Sequence, residues 1–149
     1  ERRHALGERL TAGIQDIPGI QIHEVHEGNK SSYWFYMLRV DEKAAGVSRD
    51  DFAAALIAEG IPCQAGYIPT CVYEYDMFQN KEGFKGTHAP FDSPYYGGNV
   101  SYAKGTCPIA EEILETAVRL NINEFFTEQD IDDMIAAIQK ISAYYQSQK

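Results

Sequence analysis

Positive charge is scarce in this sequence: 13 Lys and Arg stand against 22 Asp and Glu, leaving a formal net charge of −9. Nucleic-acid binders hold phosphates on a basic face, and anionic membranes are held in the same way. No Lys/Arg cluster exists beyond Arg2-Arg3, so neither nucleic acid nor a membrane is an expected partner. Cysteine is sparse as well. Cys63, Cys71 and Cys107 are odd in number and form no CxxC pair, which argues against a disulfide scaffold and a structural zinc site. A reducing cytoplasm is the expected location. No apolar run is long enough to span a bilayer, and no signal-peptide pattern opens the chain. An initiating methionine is missing too: the chain begins Glu1-Arg2-Arg3, and the expectation is a piece of a longer protein.

What is present suits a single domain, 1–149, since 44% hydrophobic residues over that length can build a real core. Residues 1–17 place Leu6, Leu10, Ile14 and Ile17 at helical spacing, and Pro18-Gly19 ends the run. Two strands are expected next. Residues 20–25 carry Ile20, Ile22 and Val25 mostly on one side, and residues 33–40 are dense in aromatic and β-branched types. Ser48, with Asp51 three residues on, reads as the cap of a second helix, with Phe52, Leu56 and Ile57 as its buried stripe and a stop at Gly60. A short strand over 61–67 should follow, and then a long irregular loop over 78–102, rich in Gly, Pro, Asn and aromatics. Pro108 fits the first turn of a third helix, with Ile109, Ile113, Ala117 and Val118 facing inward. Residues 119–122 suggest one more strand. Thr127 and Asp130 then open the clearest helix, with apolar positions Ile131, Met134, Ile135, Ile138 and Ile141. The order α-β-β-α-β-loop-α-β-α predicts an α+β fold: a small, mostly antiparallel sheet packed with helices.

Little in the sequence assembles chemistry by itself. His23 and His26 lie on a strand-to-loop segment and would point in awkward directions for one metal ion, so they read as surface residues, and so does His88. Cys71 and Cys107 have no neighbouring base in the sequence, and Cys107-Pro108 reads as a small apolar cap of the third helix. Glu111-Glu112 and Asp132-Asp133 read as solvated charge on helix faces. A Schiff-base lysine needs a desolvated pocket, yet Lys30, Lys43, Lys81 and Lys85 sit among polar loop residues and Lys140 on an exposed helical face. Lys104, flanked by tyrosine and cysteine, is the least implausible of them. No Gly-rich phosphate turn accompanies it.

The order of several short motifs nevertheless resembles the C-terminal third of DegT/DnrJ/StrS aminotransferases. These are Arg2-Arg3 in the first helix, the aromatic strand from Tyr33 through Trp34, Phe35 and Tyr36 to Val40, and Arg49-Asp50 opening a helix that ends at Gly60-Ile61. They continue with Tyr67-Ile68-Pro69-Thr70-Cys71 at the place of a Tyr-x-Pro-Leu-His element, then Arg119-Leu120-Asn121-Ile122 and Thr127-Glu128-Gln129-Asp130-Ile131. Cys107 to Glu112 is similar to the branch that aminates cyclitol ketones such as scyllo-inosose. The chain departs from the family pattern at Thr70-Cys71, which stand where Leu-His is usual, so an imidazole contact is lost and a nucleotide-sugar substrate is put in question.

The resemblance implies the small C-terminal domain of a pyridoxal-phosphate-dependent enzyme. Such an enzyme transfers an amino group from Glu or Gln to a keto sugar or cyclitol, as a homodimer when intact. The cofactor lysine and the cofactor contacts would lie upstream, so no catalytic or cofactor-binding residue is expected in this chain. Its contribution would be one wall of the substrate cleft, from Tyr67, Thr70 and Cys71. An equal alternative is that Tyr67 and Pro69 merely turn the chain out of its strand. A different class also stays open at this point: a free-standing α+β ligand-binding or dimerisation module.

Overall fold

Thr127 shows how closely local chemistry dictates this fold. In the computed structural model, which describes all 149 residues, its hydroxyl accepts from the Asp130 amide at 3.2 Å, while the Asp130 carboxylate accepts from the Thr127 amide at 2.7 Å. These bonds satisfy amides that a helix start leaves open and hold the Asp130 carboxyl below its usual range. Helix α6, Glu128–Ser147, follows, with Ile131, Met134, Ile138 and Ile141 buried and Ile135 packed at the edge of the core.

The other elements are α1 (Arg2–Ile14), β1 (Ile20–Ile22), β2 (Tyr36–Val40), α2 (Glu42–Ala45), α3 (Arg49–Ala58), β3 (Cys63–Ala65), α4 (Asp76–Gln79), α5 (Pro108–Thr116) and β4 (Ala117–Leu120). The strands form one sheet in the order β1-β2-β4-β3, with every pairing antiparallel. The α+β expectation therefore holds.

Cross-strand register sorts the side chains by face. Ile20 opposite Val40, Leu38 opposite Val118 and Tyr36 opposite Leu120 point into the core, together with Leu6, Leu10, Phe52, Leu56 and the α6 stripe. Gln21 opposite Arg39, and Arg119 opposite both Met37 and Gln64, lie on the other face. Helices α1 and α6 pack together, and Arg9 donates to both oxygens of Asp132 at 2.7 and 2.8 Å across their surface.

The chain divides into two compact units: Glu1–Tyr67 with Thr116–Lys149, which holds the sheet and the core, and Ile68–Glu115. In the second unit Cys71 is the one buried apolar residue.

Several expected boundaries shift. Strand β2 begins at Tyr36 rather than at residue 33, because Tyr33 sits at φ 45°, outside the extended region. Its ring turns inward to stack on Tyr36 at 5.6 Å and lies over Gly7, where any side chain would collide with it. Strand β1 ends at Ile22, and Val25 is exposed. Ile57 is exposed too, because at 100° per residue it lies about 140° from Phe52, and the stripe is completed by Ala53 instead. Gly60 adopts φ 86°, the left-handed geometry expected after that helix. The largest correction concerns α5. Ala117 and Val118 are buried as strand residues of β4, where Ala117 pairs with Arg39 and Val118 with Leu38, and Ile109 is exposed. Short α2 was not anticipated; the Asp41 carboxylate caps it by accepting from the amides of Lys43 and Ala44.

Packing of α6 should dominate stability. Ile138 is fully buried, so Ile138→Ala is expected to cost about 2–5 kcal/mol in denaturant unfolding, whereas Gln129→Ala, on the exposed side, should change it by less than about 0.5 kcal/mol.

Candidate functional site

The three residues singled out by sequence are divided between the units: Tyr67 ends the first stretch of one, and Thr70 and Cys71 lie in the other.

Tyr67 lies two residues beyond the end of β3, and the intervening Gly66 amide donates to the Ala117 carbonyl at 2.8 Å, extending the sheet towards it. Its ring stacks on Phe35 at 5.1 Å with 28° between planes. The Arg119 guanidinium approaches to 6.0 Å from the ring centroid, within cation–π range, and is itself anchored by donating to the Gln64 side chain at 2.9 Å. Trp34 lies 5.7 Å from Phe35 and is 70% exposed. Arg119 beside Tyr67 was not singled out by the sequence. Strand alternation could have found it, since Arg119 lies one residue from inward-facing Val118 and Leu120.

Thr70 and Cys71 are fixed by one carboxylate. The Thr70 hydroxyl and the Cys71 amide both donate to Oε2 of Glu74, the amide at 3.0 Å, over a 3-10 turn at Val72–Glu74. Cys71 is a buried free thiol. A second carboxylate organises the same unit. The Tyr73 hydroxyl and the Gly105 amide both donate to Oε1 of Glu111, the latter at 2.6 Å. The bond from Tyr73 is the chief reason the Glu111 carboxyl is held below its ordinary range, while loss of solvation and the same carboxylate push the Tyr73 phenol up. Glu111 is therefore a clamp between two chain segments, not the solvated charge its sequence setting suggested. Glu74 and Glu111 were both missed as organisers, although Glu74 stands at capping-box spacing from Cys71.

Within residues 78–102, Gln79 donates to the carbonyls of Tyr73 and Tyr102 at 2.7 Å each, and Phe78, Phe91 and Tyr102 cluster with centroids 5.4–6.2 Å apart. Cys107 is exposed, and its carbonyl accepts the Glu111 amide at 3.0 Å. It caps α5 through backbone rather than as an apolar plug.

All seven lysines are exposed. Lys140 pairs with both Glu59 oxygens, Lys104 lies 3.7 Å from Glu115, Lys30 pairs with Glu1 and Lys149 donates to the carbonyls of Lys43 and Ala44. None has the desolvated surroundings that a Schiff-base amine requires. Asp132 is bound by Arg9, and His23 edges against the rings of Tyr33 and Tyr36. A cleft of about 400 Å³ lined by Arg2, Ala5, Leu6, Arg9 and Glu128 offers little free charge, because Arg9 already pairs with Asp132 and Glu128.

The sequence model of the DegT/DnrJ/EryC1/StrS aminotransferase family matches residues 1–91. The spore coat polysaccharide biosynthesis protein SpsC of Bacillus subtilis is 28% identical over 142 residues, which are 95% of this chain and 31% of that protein. DesV of S. venezuelae, crystallised in complex with a ketimine intermediate, shares the fold with a TM-score of 0.70 at 18% identity, over 95% of this chain and 31% of its own. The aminotransferase TlmJ of Streptoalloteichus hindustanus does so with a TM-score of 0.64 at 22% identity, over 96% and 31%. The chain thus spans about a third of the length of these relatives.

The two carboxylate clamps predict a pH-dependent pattern of hydrogen exchange. Amides of 78–102, which lack a core, should exchange ahead of those in Tyr36–Val40. Gly105 should stay protected near neutral pH, well above the ordinary Glu pKa of about 4.3, where the Glu111 carboxyl is ionised in folded and unfolded chains alike. Because its folded value is depressed, that protection is lost as pH falls through it, once intrinsic rates are corrected. Glu111→Gln should weaken the protection at neutral pH and abolish its acid dependence; native-like Gly105 protection in Glu111→Gln at neutral pH would refute the clamp.

Proposed function

The chain belongs to the DegT/DnrJ/EryC1/StrS aminotransferase family, and from that membership we propose that it is the C-terminal small domain of a pyridoxal-phosphate-dependent enzyme that aminates a keto sugar or cyclitol. The observation that carries the proposal is the family match over residues 1–91 combined with a span of only 31% of each relative. The remaining length would hold the cofactor. DesV, captured with a ketimine, supports amine–carbonyl chemistry in proteins of this fold.

The residues present do not fit the cofactor themselves, since every lysine is exposed. This chain's part is binding and orientation. Tyr67 on the one unit, and Thr70 and Cys71 on the other, are each proposed as substrate contacts, Glu74 fixing the last two through the Thr70 hydroxyl and the Cys71 amide. An amino-acid donor, Glu or Gln, and a homodimeric, cytoplasmic enzyme complete the proposal.

Mixing the isolated chain with stoichiometric pyridoxal phosphate, reducing with borohydride and mapping modified lysines tests the division of labour. Scattered, substoichiometric labelling is expected, because every lysine is exposed and none has desolvated surroundings that single it out. Complete and selective labelling of one lysine, with transamination activity, would place the catalytic site inside this chain and overturn the proposal.

A further inference from the structure

Cys71 and Cys107 are far apart in the sequence and meet at one phenol. The Tyr73 hydroxyl donates to Oε1 of Glu111, and it also contacts the Cys71 thiol and the main chain of Cys107. Glu111 completes the cluster from α5, taking the Gly105 amide at 2.6 Å while its own amide donates to the Cys107 carbonyl at 3.0 Å. All of these residues lie inside the unit Ile68–Glu115, so their relation is internal to one compact body. Both thiols are free, Cys107 exposed to solvent and Cys71 buried. Cys63, the third cysteine, belongs to β3 in the other unit and donates to the Ala53 carbonyl at 3.5 Å. Two contacts of hydrogen-bond length to one oxygen put the Cys71 sulfur within roughly 7 Å of the Cys107 main chain. A disulfide needs Cα atoms about 4.4–6.8 Å apart, so the pair stands close to bridging distance. A unit with one buried apolar residue can make the remaining local approach at little cost.

We propose that Cys107 and Cys71 form a peroxide-sensitive thiol pair, with Cys107 oxidised first and Cys71 resolving it, and that closing their disulfide displaces the Tyr73 hydroxyl from Glu111. Exposure assigns the roles, since a peroxide reaches Cys107 from solvent and does not reach buried Cys71. In the first step the Cys107 sulfur attacks hydrogen peroxide: the O–O bond breaks, a sulfenic acid forms and one water leaves. In the second the Cys71 sulfur attacks the sulfenic sulfur: the S–S bond forms, the S–O bond breaks, and the hydroxyl leaves as water with the Cys71 proton. Two thiols are oxidised by two electrons in all, and one peroxide is reduced to two waters. A dithiol returns the pair to its reduced state by exchange. The inference is independent of any substrate contact at Thr70 or Cys71, because every group it uses belongs to the Tyr73–Glu111 cluster.

Oxidation of the chain with hydrogen peroxide, alkylation of the remaining thiols and peptide mapping without reductant test the pair. A peptide linking Cys71 to Cys107 within one chain is expected, with Cys63 recovered in its alkylated form and the link reversed by dithiothreitol. Cys71→Ser should stop at a sulfenic acid on Cys107, which dimedone traps, and Cys107→Ser should leave Cys71 reduced at the same dose. Tyr73→Phe keeps the ring but lacks the bond to Glu111, so acid-quenched samples should show its sulfenic acid passing to disulfide about two- to tenfold faster than in the native chain. Absence of the linked peptide after oxidation, a link through Cys63, or a disulfide between two chains in its place would overturn the pair. Oxidation of Cys71 in Cys107→Ser would overturn the assignment of roles. A native rate of closure in Tyr73→Phe would overturn the displacement of Tyr73 and leave the pair standing.

Discussion

Strand β2 pairs on both sides, with β1 and with β4, and its alternation fixes everything around it. Tyr36, Leu38 and Val40 point into the core, while Met37 and Arg39 point away. A slip of one residue would carry three fully buried side chains to the opposite face and drive an arginine into the core, at a cost no small domain could absorb. The same register sets Arg119 opposite Met37 and Gln64, beside the ring of Tyr67. The surroundings of Tyr67 are thus a consequence of core packing on the far side of the sheet.

Where the sequence carried its own local chemistry, it could be read. Thr127 with Asp130 marks the start of α6, Ser48 that of α3, and Gly60 its end, because caps and left-handed stops act over three or four residues. What could not be read depends on partners far along the chain. Tyr33 belongs by composition to the strand, but the space above Gly7 and the stacking on Tyr36 turn it inward. Ala117 and Val118 continue an apolar helical pattern on paper, and only the vacancy between β2 and β3 converts them to strand. Phe35 and Arg119 around Tyr67, and Tyr73 on Glu111 across 38 residues, are non-local in the same sense.

The unit Ile68–Glu115 differs from the rest in how it is held. One buried apolar residue cannot drive collapse, and the unit relies on two carboxylates, a glutamine bridge and three clustered aromatic rings. Polar clamps of this kind set geometry more than they set stability. Thr70 and Cys71 accordingly come with their orientation already determined by Glu74.

Membership of the family, together with coverage of a third of each relative, makes the rest of the protein the central question. Reading the coding sequence immediately upstream of Glu1 addresses it most directly. The account predicts an uninterrupted in-frame segment encoding about two-thirds of the intact protein, an α/β domain with a lysine at a strand-to-loop position. An in-frame stop codon, a start codon directly before Glu1, or an unrelated domain in that place would contradict it.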